Sequence, residues 1–155
     1  MNQLIAFIGI AFITMNISCI NHKPIADKSS PTSAHSDSSL LTEKYWKLVE
    51  LNGTSVVWKD GWVHEPQITF QSSDHRVHGN GGCNTFFGTY QIGSGNSIHL
   101  SQMGATMMAC PNMETETAFL QTLEKVDNYT VIGDTLILNK ARMAPLARFI
   151  AVYME

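Results

Sequence analysis

Turn-forming residues cut residues 42–155 into short pieces, and this spacing constrains the fold more than any other feature. Asn52-Gly53, Ser72-Ser73-Asp74, Gly93-Ser94-Gly95-Asn96 and Gly133-Asp134 separate runs rich in Val, Ile, Leu, Tyr, Phe and Thr. Asn-Gly is a strong hairpin signal, because both residues tolerate positive φ. The runs between the turns are about four to eight residues long, which suits half-buried strands rather than helices. Strands are expected over residues 45–51, 55–58, 67–70, 75–79, 86–92, 97–101, 129–132, 135–138 and 146–153. One segment breaks the pattern. Residues 111–126 read as a helix with Asn112 as N-cap, Glu114 and Glu116 in the first turn, and an apolar stripe of Phe119, Leu120, Leu123 and Val126. The expected fold is mainly β with one helix: a small antiparallel barrel or a two-sheet sandwich, the helix covering an open side or end.

Upstream of this domain the composition changes twice. MNQLIAFIGIAFITMNISC is a short apolar run ending in Ser18-Cys19. It is too short to persist as a spanning helix and suits a signal-peptide core, residues 1–18. A small residue directly before a cysteine is what lipoprotein processing requires. Cys19 is therefore the expected lipidation site, and its acyl chains the expected membrane attachment. Asn16 stands where Leu is usual, and the leader has no Lys or Arg. Residues 19–41 are rich in Ser, Pro, Thr, Asp and Lys and read as a disordered tether with an end-to-end distance of about 25 Å. Ile20 is not the Asp that retains many lipoproteins at an inner membrane, so the expected location is the bacterial outer membrane.

Charge and cysteine usage narrow the function classes. The net charge is −3, and no basic stripe interrupts the domain, which argues against nucleic-acid binding. With Cys19 assigned to lipid, Cys83 and Cys110 remain. In an oxidising compartment they form a disulfide most simply, with two buried free thiols as the alternative. Neither belongs to a CxxC or CxxH unit, so a metal site is not expected.

Catalytic signatures are missing from the sequence. The glycines at 79, 81, 82 and 88 lack the Lys-Ser/Thr of a phosphate loop and open no helix. No G-x-S-x-G elbow is present. His75 and His78 lie three apart in an expected strand and so face opposite ways. His64 and His99 have no companion in sequence. No enzyme activity and no cofactor are expected. Trp58, Trp62, Met107 and Met108 are the candidate partner-contacting residues: aromatics are common at binding hot spots, and the methionines cluster around Cys110. Met103 and Met113 belong to the same cluster, for which gap-filling in the core is the plainer reading.

Four fragments in order resemble the META, or HslJ-type, family of small exported bacterial domains. They are Trp46-Lys47-Leu48 with Leu51-Asn52-Gly53; Gly79 to Tyr90, with Gly82-Cys83-Asn84 at its centre; Thr106-Met107-Met108-Ala109-Cys110 with Glu116 to Leu123; and Tyr129 with Leu136-Ile137-Leu138. The stretch from Val57 to Glu65, with two Trp around Asp60-Gly61, departs from the family pattern. The resemblance implies a lipocalin-like β architecture with a helix, an envelope location, and a loose association with envelope or heat stress. It supplies no catalytic mechanism. Two functions follow as expectations. One is a non-catalytic envelope lipoprotein that binds a protein or envelope component through its loops. The other is a lipid-anchored inhibitor of secreted peptidases, since rigid loops lose little entropy on binding.

Overall fold

In a computed structural model of the protein, residues 38–141 and 145–153 are described. Cys19, and with it the expected lipidation site, lies outside them. The described residues all fall in the second of two units of the chain, Thr32–Glu155.

Among the described residues there are nine strands and one α-helix: β1 Tyr45–Leu51, β2 Thr54–Ser55, β3 Gln67–Phe70, β4 Arg76–Asn80, β5 Thr85–Ile92, β6 Ile98–Ala105, α1 Glu114–Leu123, β7 Asn128–Ile132, β8 Thr135–Asn139 and β9 Pro145–Val152. The strands form one antiparallel sheet in the order β6-β5-β4-β3-β1-β9-β8-β7, with β2 paired to β1 as a short hairpin. Asn52 and Gly53 both take positive φ at that hairpin, as the dipeptide predicts. The C-terminal strand returns to lie beside the first, so β1 sits between β3 and β9. The sheet curls until its edge strands meet at one end. There Ser97 bridges to Asn128, Ile98 N–H donates to the Asp127 carbonyl at 3.1 Å, and Tyr129 N–H donates to the Asn96 carbonyl at 2.9 Å. The edges are not paired along their length, so the barrel is not closed.

Period-two alternation carries the core. Ile68 and Phe70 of β3, Phe86 and Tyr90 of β5, Leu136 and Leu138 of β8, and Ala147 and Phe149 of β9 face inward. A bulge between Leu48 and Glu50 shifts the register of β1 and returns Leu51 to the core after Trp46 and Leu48. The helix packs into the core through Phe119 and Leu123. Phe119 meets Phe86 edge-to-face at 5.5 Å and Phe149 at 5.8 Å, and so joins β5 to β9.

A 3-10 turn at Ser38–Leu40 precedes β1. Leu41 is fully buried, and its carbonyl accepts a 2.8 Å hydrogen bond from the Trp46 indole. Two adjacent leucines, Leu40 and Leu41, at the end of a polar tether have no periodicity to mark either as core. The returning strand expected over residues 55–58 reduces to β2. The helix is shorter than residues 111–126, and Asn112 is not its N-cap. Met113 holds that position with no side-chain cap. Asn112 instead takes a left-handed backbone, φ 60°, and donates its side-chain amide to the Asp60 carbonyl at 2.8 Å.

Candidate functional site

The loops at one end of the sheet are tied to each other around a buried carboxylate. Glu116 is on the first turn of α1, three residues before Phe119, which places it on the buried face. It is only 3% exposed. Its Oε2 accepts from the backbone N–H of Cys83 at 2.9 Å and of Asn84 at 2.7 Å. Its Oε1 accepts from the Asn84 side-chain amide at 2.7 Å. Burying a carboxylate is costly unless it is hydrogen-bonded, and here three donors converge on it. Gly81 is required by this approach: a Cβ there would stand 2.4 Å from Cγ of Glu116. Glu116 is therefore more than a first-turn acid facing the helix dipole. Its role is to fasten the 81–84 loop to the helix.

Asn84 passes the restraint on to the next loop. Its Oδ1 accepts from the Thr106 hydroxyl at 2.8 Å and from Met108 N–H at 2.7 Å. Its amide donates to the Met108 carbonyl at 3.1 Å as well as to Glu116. All four hydrogen-bonding positions of the side chain are filled. Thr106 N–H donates to the Thr85 carbonyl at 3.0 Å. The Cys83–Cys110 disulfide, with Cα atoms 6.1 Å apart, fixes the far end of the same segment. Closing a loop of this length stabilises the fold by about 3.5 kcal/mol on chain-entropy grounds.

The four candidate contact residues divide. Met107 is 97% exposed, Trp58 60% and Met108 50%. Trp62 is 7% exposed and is a packing residue. Its ring lies against Gly82, its indole N–H donates to the Asn112 carbonyl at 3.3 Å, and Trp58 stacks on it edge-to-face at 5.9 Å. Sequence composition alone does not tell two Trp in one loop apart. Met103 packs against the core, so the core-filling reading holds there. At Met107 and Met108 it does not. Beside the 105–109 segment, an open groove of about 390 Å³ runs along α1, lined by Met108, Met113 and Leu120 among others.

A second cluster lies on the outer face of β1. Tyr45 donates to Oε1 of Glu65 at 3.1 Å, and Lys47 pairs with Oε2 at 2.6 Å. Burial, together with the Glu65 charge, pushes the Tyr45 phenol up to about 12. His64 and His78 line the same cleft of about 270 Å³. His75 precedes β4, with φ 56°, and lines a different cleft from His78. Among the described residues, no three His, Cys, Asp or Glu side chains are grouped to hold a metal ion.

Glu116 is the residue that sequence reasoning missed. Counting back three positions along the helix from Phe119 places it on the buried face, and it opens the Glu116 to Leu123 fragment of the family resemblance.

The META domain profile matches residues 39–153. The chain belongs to the META domain family. None of the curated proteins matches it. Among solved structures, it is similar to a protein from Burkholderia xenovorans determined by NMR, with a TM-score of 0.60 at 21% identity over 87% of this chain and 100% of that one. A second NMR structure gives 0.56 at 19% identity over 72% and 92% of the two chains. A crystal structure of a DUF4847 family protein from Bacteroides vulgatus gives 0.52 at 17% identity over 73% and 95%. At these identities the likeness concerns the fold. The META domain begins at 39, close to the 3-10 turn and to Leu41.

Proposed function

We propose that this protein is a non-catalytic envelope lipoprotein, held at the outer membrane by acyl chains on Cys19, whose META domain presents the 106–110 loop to a protein partner. One observation carries the reading. Met107 is 97% exposed, yet the residues on either side of it are fastened inward. A large apolar side chain in water on a restrained backbone loses little entropy on binding. The Ser18-Cys19 junction and the tether composition support the anchoring.

The test uses the full-length protein in a bacterium fed an alkyne-tagged palmitate. The wild type takes up the label and Cys19→Ser does not. A photo-crosslinking side chain at position 107 yields a discrete adduct in envelopes. The same group at Ser94, in the turn at the opposite end of β5, does not. Label-free wild type overturns the anchoring, and indistinguishable adducts from 107 and 94 overturn the loop assignment.

A second reading, inhibition of secreted peptidases, is favoured by the form of the same loop. Residues 106–110 belong to no helix, strand or turn, and none from 103 to 111 takes a positive φ. Peptidases bind extended chain. Titration against metallo- and serine peptidases secreted by the same organism tests it. Stoichiometric loss of activity supports it, and full activity across the panel overturns it.

A further inference from the structure

We infer that residues 106–110 form a substrate-mimicking loop in which Met107 enters the primary pocket of a serine endopeptidase selective for large apolar side chains. This rests on the inhibitor reading and assigns its target class and contact residue.

The argument begins with which atoms are held. Asn84 grips Met108 through both its N–H, at 2.7 Å, and its carbonyl, at 3.1 Å. Thr106 is held by its own N–H to Thr85 and by its hydroxyl to Asn84. Met107 stands between two anchored residues with its side chain in solvent. The Met107–Met108 peptide bond is therefore braced on both sides, and the Cys83–Cys110 disulfide holds the downstream end.

That bracing selects a bond and hence a class of enzyme. In a serine peptidase the active-site hydroxyl adds to the Met107 carbonyl carbon. Its proton passes through the enzyme's histidine to the Met108 nitrogen as the C–N bond breaks, leaving an acyl-enzyme and a free Met108 amine. Asn84 would keep that amine beside the acyl carbon. Attack by the amine then re-forms the peptide bond and returns the hydroxyl its proton, so no net reaction occurs. A tethered nucleophile outcompetes water by effective concentration. The neighbouring Thr106–Met107 bond lacks this device, because cleavage there would place the new amine on Met107, which neither Asn84 nor the disulfide grips directly. The residue before the braced bond is Met107, and serine peptidases select mainly through that residue's side chain. A long, flexible, unbranched thioether suits a deep apolar pocket.

The test titrates the full-length protein, purified under oxidising conditions, against chymotrypsin, trypsin and thermolysin. Inhibition of chymotrypsin at one-to-one stoichiometry is expected, with the loop intact after prolonged incubation. Met107→Lys is expected to weaken chymotrypsin inhibition on the order of a hundredfold, because it buries an unpaired charge, and to create trypsin inhibition. Its thermal midpoint is expected to match wild type, since the side chain touches little. Undiminished chymotrypsin inhibition by Met107→Lys overturns the assignment. Rapid cleavage after Met107 overturns it too, by showing an ordinary substrate. Inhibition of thermolysin alone overturns it while leaving the inhibitor reading standing. Failure against all three enzymes overturns the assignment, and failure also across the organism's own peptidases removes the parent reading.

Discussion

Exchanging Glu116 and Asn84 for their isosteric counterparts isolates the bond that holds the loop end together. In Glu116→Gln, the amide oxygen still accepts from the Cys83 and Asn84 backbone N–H groups. The new NH₂ then faces the Asn84 amide across 2.7 Å, donor against donor. Asn84 cannot turn over to relieve this, because its oxygen already takes the Thr106 hydroxyl and Met108 N–H, and its amide serves the Met108 carbonyl. One buried contact changes from a charge-assisted bond to a repulsion, which costs about 2–3 kcal/mol. Asn84→Asp alone sets two carboxylates together and turns an oxygen toward the Met108 carbonyl, costing about 3 kcal/mol or more. Combining the two restores a donor opposite an acceptor at the Glu116–Asn84 contact. The double variant is then more stable than the sum of the single losses by at least ~1 kcal/mol. Urea unfolding of the oxidised protein measures all four species. With a slope of about 1.5 kcal/mol per molar, Glu116→Gln lowers the midpoint by about 1.3–2 M. A midpoint shift below ~0.5 M, or strictly additive single effects, would refute the network.

Four further outcomes are expected. Replacing both Cys83 and Cys110 by Ser lowers unfolding free energy by about 3.5 kcal/mol in urea, and reductant has no further effect on that variant. Trp62→Ala costs about 3 kcal/mol by thermal or urea unfolding, whereas Trp58→Ala, which loses chiefly an edge contact, costs less than ~1 kcal/mol. Leu41→Ala costs about 2–4 kcal/mol, which an unstructured tether residue would not. The Tyr45 phenol is held above its ordinary value of 10.0 in the folded state, so the unfolded chain releases that proton first. Its contribution to stability is complete below pH 10 and is lost as pH rises toward about 12; Tyr45→Phe flattens that alkaline slope in a pH series of unfolding midpoints.

The elements that local chemistry determines were legible in the sequence. Alternation placed β3, β5, β8 and β9, and Asn52-Gly53 placed the first hairpin, because strand period and positive-φ turns act within a few residues. What depends on distant partners was not legible. Asn112 looks like an N-cap until Asp60 competes for its amide. Glu116 looks like a first-turn surface acid until the 81–84 loop folds over it and supplies three donors. Trp58 and Trp62 differ only because Gly82 and Asn112 come to meet one of them. The exposure of Met107 follows from the grip of Asn84 on its neighbour, across 24 residues of sequence.

That grip is the central claim, and amide hydrogen exchange at Met108 tests it most directly. The residue lies in an exposed loop, where an unheld amide exchanges at nearly the rate of an unfolded peptide. The account predicts protection of at least ~100-fold at Met108 in the wild type, reduced in Glu116→Gln. Exchange of the Met108 amide at the unfolded-peptide rate in the wild type would contradict it.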